Sequence, residues 1–248
     1  MKLLAIETST RQLGVALIED ERLLSSYELL AEYPHAVELP GAVNRVLKDA
    51  HTLLKQVDAI AVDIGPGSFT GLRIGLAFVK ALAFSTKTPV VGIPSLDVLA
   101  ANAPFAPGLV CPLLDAKQKN IYAALYQMDG AHPVKRSDYF LGPVDAWVPQ
   151  ITSTTLFLGD GCALYRGPIT ERLGERARFA SMDLWFPRAA TLARIGQERF
   201  ARGERDDPSR LVPLYLYPFD CSVRGPDRPT AVLPSVAPAT PASTSASR

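Results

Sequence analysis

The sequence is poor in the residues that most often hold metal ions or form disulfide frameworks. Its 248 residues contain only three cysteines and three histidines, namely Cys111, Cys162, Cys221, His35, His51 and His132. No two of them have the close spacing of a zinc knuckle, and no two histidines stand four apart as in zinc peptidases. An odd number of widely spaced cysteines also favours a reducing compartment. The sequence therefore predicts no metal site.

The sequence also lacks an excess of charge of one sign and a long hydrophobic run. It has 26 Lys and Arg against 25 Asp and Glu, a net charge of +1. This balance excludes a protein that wraps nucleic acid, because that class needs clustered cations. The apolar start ends at Glu7, too early for a signal sequence, and no apolar stretch approaches about 18 residues. We expect a cytoplasmic protein with no membrane contact.

The first half alternates patterns typical of strands and helices. Three apolar runs separated by polar breaks, at 3–6, 13–18 and 23–30, predict antiparallel strands. Apolar residues at helical spacing predict a helix from about Glu38 to Leu54, with Pro40 in its first turn. The pattern then predicts a strand at 57–64, a helix at 69–85, a strand at 89–93 and a helix at 96–103 with Ser95 as its cap. This alternation indicates an α/β architecture.

The second half repeats this plan. Residues 113–116 have an acidic residue at the end of an apolar strand, as the first strand does, and 122–126 and 133–141 correspond to the next two strands. Residues 156–161 and 62–67 are both apolar strands that run into a Gly-x-Gly turn. A period of about 100 residues is too long for a solenoid and indicates two duplicated lobes facing a cleft. The final residues are mostly Pro, Ala, Ser and Thr, which predicts disorder. We therefore predict an N-terminal lobe at 1–105, a C-terminal lobe at 106–219 and a disordered tail at 220–248.

The most informative segment is the loop at 65–68, Gly-Pro-Gly-Ser, and the helix that follows it. Exposed backbone N–H groups at the start of a helix favour an anion, but this loop lacks the Gly-Lys-Ser/Thr ending of a phosphate loop. The loop either makes only a turn capped by Ser68 or contacts a ligand as well. The helix is apolar nearly all round, which indicates burial on more than one side. Its second side is covered either by its own domain or by another chain, which Gly71 and Gly75 would allow to approach closely.

Acidic residues end the first strand of each predicted lobe. Glu7 and Asp115 occupy these positions, and neither following turn has the glycine that lets a backbone approach a phosphate. The two carboxylates either cap their turns or bind a ligand in the cleft. The candidate ligand contacts at the cleft, or at a junction with a partner, are Glu7, Thr8, Gly65, Gly67 and Asp115.

Several segments together carry a resemblance to a known family. The most specific is Gly-Pro-Gly-Ser-Phe-Thr-Gly-Leu-Arg at 65–73. The others are Leu-Ala-Ile-Glu-Thr-Ser-Thr at 4–10, Pro-Ser-Leu at 94–96, Pro-Leu-Leu-Asp-Ala at 112–116, Ile-Tyr-Ala-Ala at 121–124, Gly-Asp-Gly at 159–161 and Pro-Leu-Tyr-Leu at 213–216. Over about residues 1–217 the chain resembles the TsaB (YeaZ) family of bacterial proteins, which belong to tRNA threonylcarbamoyladenosine biosynthesis. The resemblance implies the two-lobed α/β fold of actin, sugar kinases and Hsp70, which is ribonuclease H-like.

The resemblance also implies a non-catalytic adaptor, with no catalytic residue or cofactor of its own. Such a chain binds and activates a TsaD-type catalytic subunit, in an assembly that includes a TsaE-type ATPase. The assembly transfers threonylcarbamoyl to the adenosine next to the anticodon of tRNAs that read ANN codons. This chain would meet tRNA only indirectly, would leave room for a nucleotide at the junction with its partner, and could pair with itself when alone.

The helices of the N-terminal lobe form the interface that this resemblance implies. The expected contacts are His35, Leu39, Val43, Ser68, Phe69, Gly71, Leu72, Arg73, Gly75, Leu76, Phe78 and Val79. The alternative hypothesis is an independent enzyme of the same fold, either a small-molecule kinase or a glycoprotease-like peptidase. Tight binding of ATP or metal by the isolated chain would favour that alternative.

Overall fold

The computed structural model describes residues 1–30 and 35–217. Five strands form a first sheet: β1 (Lys2–Glu7), β2 (Gln12–Glu19), β3 (Arg22–Leu30), β4 (Ala59–Gly65) and β5 (Val90–Pro94). Its strand order is β3-β2-β1-β4-β5, with the first three antiparallel and the last two parallel to β1. The helices of this half are α1 (His35–Asp49), α2 (Phe69–Thr86) and α3 (Ser95–Ala100).

A second sheet follows in the other half of the chain. Its strands are β6 (Leu109–Lys117), β7 (Asn120–Ala123), β8 (Tyr126–Asp129), β9 (His132–Lys135), β10 (Phe140–Pro143), β11 (Thr155–Leu158) and β12 (Ala177–Phe179). The main path of this sheet is β10-β7-β6-β11-β12, and the hairpin β8–β9 pairs with β6 beside it. The helices of this half are α4 (Val144–Trp147), α5 (Cys162–Leu173) and α6 (Ala189–Ala201).

The two sheets repeat one topology. In the second sheet β6, β7 and β10 are antiparallel neighbours, whereas β11 and β12 are parallel to β6, so the strand order matches that of the first sheet. In each half the strand after the antiparallel set runs through a glycine turn into a helix, α2 or α5. The predicted duplicated α/β fold of the actin, sugar kinase and Hsp70 (ribonuclease H-like) class is therefore confirmed.

Several predicted element boundaries are wrong. α1 begins at His35 and ends at Asp49, so Pro40 lies in the second turn, on the exposed side. Ser95 is the first helical residue of α3 rather than its cap, because its hydroxyl donates a hydrogen bond to the Asp63 carboxylate instead. The predicted strands at 122–126 and 133–141 are each divided, because the hairpin β8–β9 leaves the main path of the sheet.

The helices cover the first sheet on both faces. Leu4 and Ile6 of β1 face a core shared with α1 and α2, whereas Leu3 and Ala5 face α6 on the opposite side. α6 therefore covers the first sheet although it follows the second sheet in sequence. The predicted lobe limits, 1–105 and 106–219, stay a prediction, and the predicted tail at 220–248 lies outside the described residues.

The chain after α6 connects the two sheets. Asp206 forms a bridge with Val90 at the edge of β5. The Leu214 N–H then donates to the carbonyl oxygen of Ile64 at 2.7 Å, close to the end of β4. Leu216 is buried in the core of the second half. This segment thus runs beside the loop that opens α2.

By length and composition, α2 could cross a membrane, since it has 18 residues and a mean hydropathy of 1.2. The prediction that no apolar stretch approaches that length is therefore wrong for α2. A core helix of a globular domain passes the same test. One side of α2 packs against β4 and β1 and thereby accounts for part of its apolar character.

Candidate functional site: the outer face of α2

α2 has two faces of different character. Its inner stripe is buried against the first sheet and consists of Gly71, Leu72, Gly75, Leu76, Val79 and Ala83. Its outer stripe is exposed along its centre at Ala77 and Ala81 and near its ends at Phe69 and Phe84, whose side chains are 53% and 78% exposed. Ile74, Phe78 and Leu82 are half-buried beside this stripe. We call the exposed and half-buried residues of α2, from Phe69 to Phe84, the outer face.

The structure places most of the predicted interface residues inside the chain. The buried ones are His35, Leu39, Val43, Gly71, Leu72, Gly75, Leu76 and Val79. Because these eight residues are almost fully buried in this conformation, they do not form an outward surface. Ser68, Phe69 and Arg73 are exposed and Phe78 is half-buried, so they remain available to a partner.

Gly71 and Gly75 allow a close approach, but the backbone that approaches belongs to this chain. A Cβ atom on Gly71 would collide with the carbonyl oxygen of Thr8, and one on Gly75 would collide with the hydroxyl of Thr8. Thr8 directly follows β1, so α2 lies unusually close to the end of the central strand. The expectation that these glycines admit a partner's backbone is wrong, because Thr8 already occupies that space.

An aromatic and arginine cluster lies at the start of α2. The Arg73 guanidinium lies 3.9 Å from the centroid of the Phe69 ring, and its Nε donates to the Tyr215 hydroxyl at 3.0 Å. The rings of Phe69 and Tyr215 are 5.3 Å apart. Phenylalanine, tyrosine and arginine are enriched in protein interfaces. The sequence pattern missed Tyr215, because it comes from the segment that follows α6.

The loop before α2 closes on the turn after β1. The Ser68 N–H donates to the carbonyl oxygen of Ser9 at 2.6 Å, and a Cβ on Gly67 would collide with the same carbonyl. The His35 ring donates through Nε2 to the carbonyl oxygen of Thr10, 2.7 Å away. Gly65 is buried, with a φ of 102° that favours glycine. Since the turn after β1 fills the space in front of the loop, the geometry favours a turn over an anion site.

Ser68 is the N-terminal cap of α2, as predicted. Its Oγ accepts a hydrogen bond from the Gly71 N–H at 3.2 Å. We expect Ser68→Ala to lower the free energy of unfolding by about 1 kcal/mol, the usual cost of losing such a cap. Urea unfolding of the isolated chain measures this loss, and Ser68→Asp, which retains an acceptor, is the control. Equal stability of the wild type and the alanine variant would contradict the assigned cap.

The candidate ligand contacts do not form one open site. Glu7 and Thr8 are completely buried, and the Glu7 carboxylate accepts hydrogen bonds from Ser9. Asp115 lies in the other half, where it forms an ion pair with Lys117 and a hydrogen bond to the Lys117 N–H. Asp115 therefore caps its turn, and Glu7 is enclosed by the fold rather than exposed to the cleft.

Comparison with known proteins identifies the family. The family model described as TsaD, tRNA N6-adenosine threonylcarbamoyltransferase, matches residues 29–209. The solved structure of YeaZ from Pseudomonas aeruginosa superposes with a TM-score of 0.73 at 29% identity, over 86% of this chain and 99% of that one. The TsaB protein of Bacillus subtilis, named for tRNA threonylcarbamoyladenosine biosynthesis, is 32% identical over 87% of this chain and 94% of its own. The chain belongs to the TsaB family.

Because the model described as TsaD matches well over half of the chain, the chain also belongs to the broader family that this model describes. The tRNA N6-adenosine threonylcarbamoyltransferase of Brucella ovis is 30% identical over 203 residues. That match covers 73% of this chain but only 55% of the transferase. This TsaB-family chain therefore lacks a counterpart for nearly half of that transferase's length.

Sequence reasoning missed the central residues of the outer face. It selected the glycines and the large apolar residues of α2, most of which pack inward. Ala77 and Ala81 stand at i and i+4, about 120° around the helix from Gly71 and Gly75 and opposite the centre of the whole inner stripe. A helical projection oriented by the glycines alone would have selected Arg73, so the two alanines emerge only when the full inner stripe is placed toward the sheet.

Proposed function

We propose that this chain is the non-catalytic subunit that binds and activates a TsaD-type catalytic subunit in tRNA threonylcarbamoyladenosine biosynthesis. The outer face of α2 is the observation that carries this proposal. It is an exposed, mainly apolar surface that also carries Arg73 and Lys80, on a helix whose opposite side is already packed. Single exposed apolar side chains need no explanation, but a contiguous stripe of them indicates a binding surface.

The shape of the outer face fits a second helix. Ala77 and Ala81 leave a shallow centre where another helix can approach closely, since interaxial distance depends on the side chains at the contact. Phe69 and Phe84 stand at the two ends as large anchors. A few well-packed side chains near the centre of an interface carry most of its binding energy, so the close helix contact at Ala77 and Ala81 is expected to matter most.

The first half of the chain supports assigning the catalytic step to the partner subunit. The space in front of the turn after β1 is filled by the loop before α2, and the Glu7 carboxylate is buried, so the described residues leave no open pocket for a substrate there. In the proposed function the transfer reaction belongs to the partner, and any nucleotide binds at the junction between the two chains. A TsaE-type ATPase joins the assembly, the tRNA is bound by the assembly as a whole, and the complex works in the cytoplasm.

Depletion of the protein in its own cells tests the pathway. We expect the threonylcarbamoyladenosine content of bulk tRNA to fall at least tenfold, because the catalytic subunit loses its activator, and to recover when the wild-type gene is returned. Mass spectrometry of digested tRNA measures it. An unchanged level would contradict the proposed function. Rapid ATP or peptide hydrolysis by the isolated chain would favour an independent enzyme instead.

A further inference from the structure

Two buried carboxyl groups lie side by side in the first sheet with one oxygen each unpartnered. Within the described residues, the buried side-chain atoms that lack a hydrogen-bond partner are Glu7 Oε2, Thr8 Oγ1, His35 Nδ1 and Asp63 Oδ2. Unpartnered buried polar atoms are rare in proteins, and each requires a physical explanation. The pair formed by Glu7 and Asp63 is the most costly, because buried carboxylates without a counterion are strongly disfavoured.

The strand register brings the two groups together. β1 and β4 are parallel, with Ile6 opposite Val62, so Glu7 and Asp63 are the next pair in register and point to the same face. Their carboxyl groups lie within hydrogen-bonding distance of each other. Both side chains are completely buried.

The other oxygen of each carboxyl group is already satisfied. Glu7 Oε1 accepts from the N–H and the hydroxyl of Ser9, at 2.7 and 2.5 Å. Asp63 Oδ1 accepts from the Gly65 N–H at 2.7 Å and from the Ser95 hydroxyl. These four donors fix which oxygen of each group is the acceptor, and they leave the two remaining oxygens without a donor.

The charges around the pair do not neutralise it. Burial and the neighbouring Asp63 carboxylate raise the pKa of Glu7 well above its usual value, and burial raises the pKa of Asp63. Other titratable groups on neighbouring elements are His35 of α1, which bonds the Thr10 carbonyl, and the Tyr139 hydroxyl, which interacts with Asp63 and donates to Asp97 of α3. Arg199 of α6 donates to the Gly92 carbonyl and acts on Asp97.

We propose that Glu7 and Asp63 share one proton at neutral pH, in a hydrogen bond between Glu7 Oε2 and Asp63 Oδ2. The proton supplies the missing donor for both oxygens and leaves the pair with a single negative charge, which the donors of Ser9, Gly65 and Ser95 stabilise. A divalent cation does not fit, because it requires about six or more oxygen ligands and the two carboxyl groups leave only one oxygen each; within the described residues no group of three or more His, Cys, Asp or Glu side chains is placed to hold a metal ion. This proposal concerns the chain alone and holds whether or not a partner binds.

The shared proton has a structural role. Glu7 holds Ser9 through two hydrogen bonds, and the Ser9 carbonyl accepts from the Ser68 N–H at the start of α2. The pair thereby connects the ends of β1 and β4 to the beginning of the helix that carries the outer face. Glu7 and Asp63 are positioning residues in this description.

Amide substitutions test the shared proton. In Glu7→Gln or Asp63→Asn, one amide N–H takes the place of the proton, so we expect each single variant to fold with a urea midpoint near that of the wild type. In the double variant the two amide nitrogens face each other as two donors. Relative to the wild type, we expect the unfolding equilibrium constant of the double variant to increase by at least ten times the product of the two single-variant increases. Additive effects, or single variants as unstable as the double variant, would overturn the proposal.

The pH dependence gives a second test. A carboxyl group whose pKa is raised by folding contributes stability at low pH that is lost as pH rises from its unfolded value toward its folded value. Between pH 5 and pH 8, we expect the unfolding constant of the wild type to rise by up to tenfold per pH unit relative to Glu7→Gln. Glu28, whose pKa burial raises to about 7, is present in both proteins and its contribution cancels. Parallel stability curves for the two proteins would overturn the proposal.

Infrared spectroscopy of the folded chain detects the proton directly. Near pH 7 we expect a carboxylic acid C=O stretch in the wild type that disappears in both Glu7→Gln and Asp63→Asn, since either change removes the shared acid. The Asp97→Asn variant is the control and should keep the band, because Asp97 is a half-buried carboxyl group outside the pair. Absence of this band from the wild-type spectrum would contradict the proposal, whether or not the variants fold. A band that persists in a folded Glu7→Gln or Asp63→Asn variant would contradict it as well.

Discussion

Replacement of Ala77 by arginine is expected to weaken binding of the TsaD-type partner at least 100-fold while the isolated chain stays folded. Ala77 lies at the centre of the outer face of α2, and its side chain is exposed in this chain. A long charged side chain there separates the two helices and places a cation in an apolar interface, where its desolvation is not repaid. Central interface positions carry effects of this size. Arginine is a good helix former, so α2 itself should persist.

The measurement is titration of the catalytic subunit with each variant, by calorimetry or by size exclusion. Ala201→Arg is the matched control, because Ala201 is also an exposed alanine near the first sheet but ends α6, on the opposite face of that sheet. We expect Ala201→Arg to bind as the wild type does. Any self-association of the isolated chain through α2 should be lost in Ala77→Arg as well. Full partner binding by that variant would contradict the proposed interface.

Substitutions on the inner stripe cannot answer the same question. Leu72 is buried against the sheet, and Gly75 has no room for a side chain because the Thr8 hydroxyl lies against it. Charged or large residues at these two positions would unfold the chain, and loss of the partner would follow from that alone. An exposed position such as Ala77 can therefore test the interface, whereas Leu72 and Gly75 cannot.

Most of the fold was predictable because strand and helix periodicity is a local property. The antiparallel strands β1 to β3, the helix α2 and the repeat in the second half were all evident from alternation, apolar spacing and glycine turns. The hairpin β8–β9 was not, since nothing in the local pattern distinguishes a strand of the main sheet from one that pairs beside it. Ser95 is similar. Its suitability as a helix cap was evident from its residue type, but the Asp63 carboxylate that accepts a hydrogen bond from its hydroxyl is remote in sequence.

The candidate site was less predictable, for a reason that α2 illustrates. Its nearly all-round apolar sequence indicated burial on more than one side, and the structure shows one side packed and the other exposed. Which side is which depends on Thr8, whose contact with Gly71 and Gly75 spans more than sixty residues of sequence. Asp63 was missed because it stands inside an apolar strand. A lone carboxylate in a strand of the buried type is the signal that could have identified it.

The contact between Thr8 and the two glycines leads to a prediction about stability. We expect Gly71→Ala to lower the free energy of unfolding by about 2 kcal/mol or more, despite the better helix propensity of alanine. Its Cβ would collide with the Thr8 carbonyl oxygen, which belongs to the backbone at the end of the central strand and cannot turn away. Gly41→Ala in α1 is the control, since a Cβ there meets nothing within 4 Å. That change should raise stability by about 0.5–1 kcal/mol.

Thr8→Ala distinguishes the contacts of the two glycines, because it removes the Thr8 hydroxyl that lies against Gly75 and keeps the Thr8 carbonyl that lies against Gly71. The Thr8 hydroxyl has no hydrogen-bond partner, so its removal should cost little by itself. In the Thr8→Ala background we expect Gly75→Ala to become much less destabilising, since its collision is with that hydroxyl, whereas Gly71→Ala should remain as destabilising as before. Urea unfolding of the single and double variants measures both couplings. Equal rescue of the two glycine variants would show that α2 moves as a rigid body away from β1, and the fixed approach inferred from the backbone contact would then be wrong.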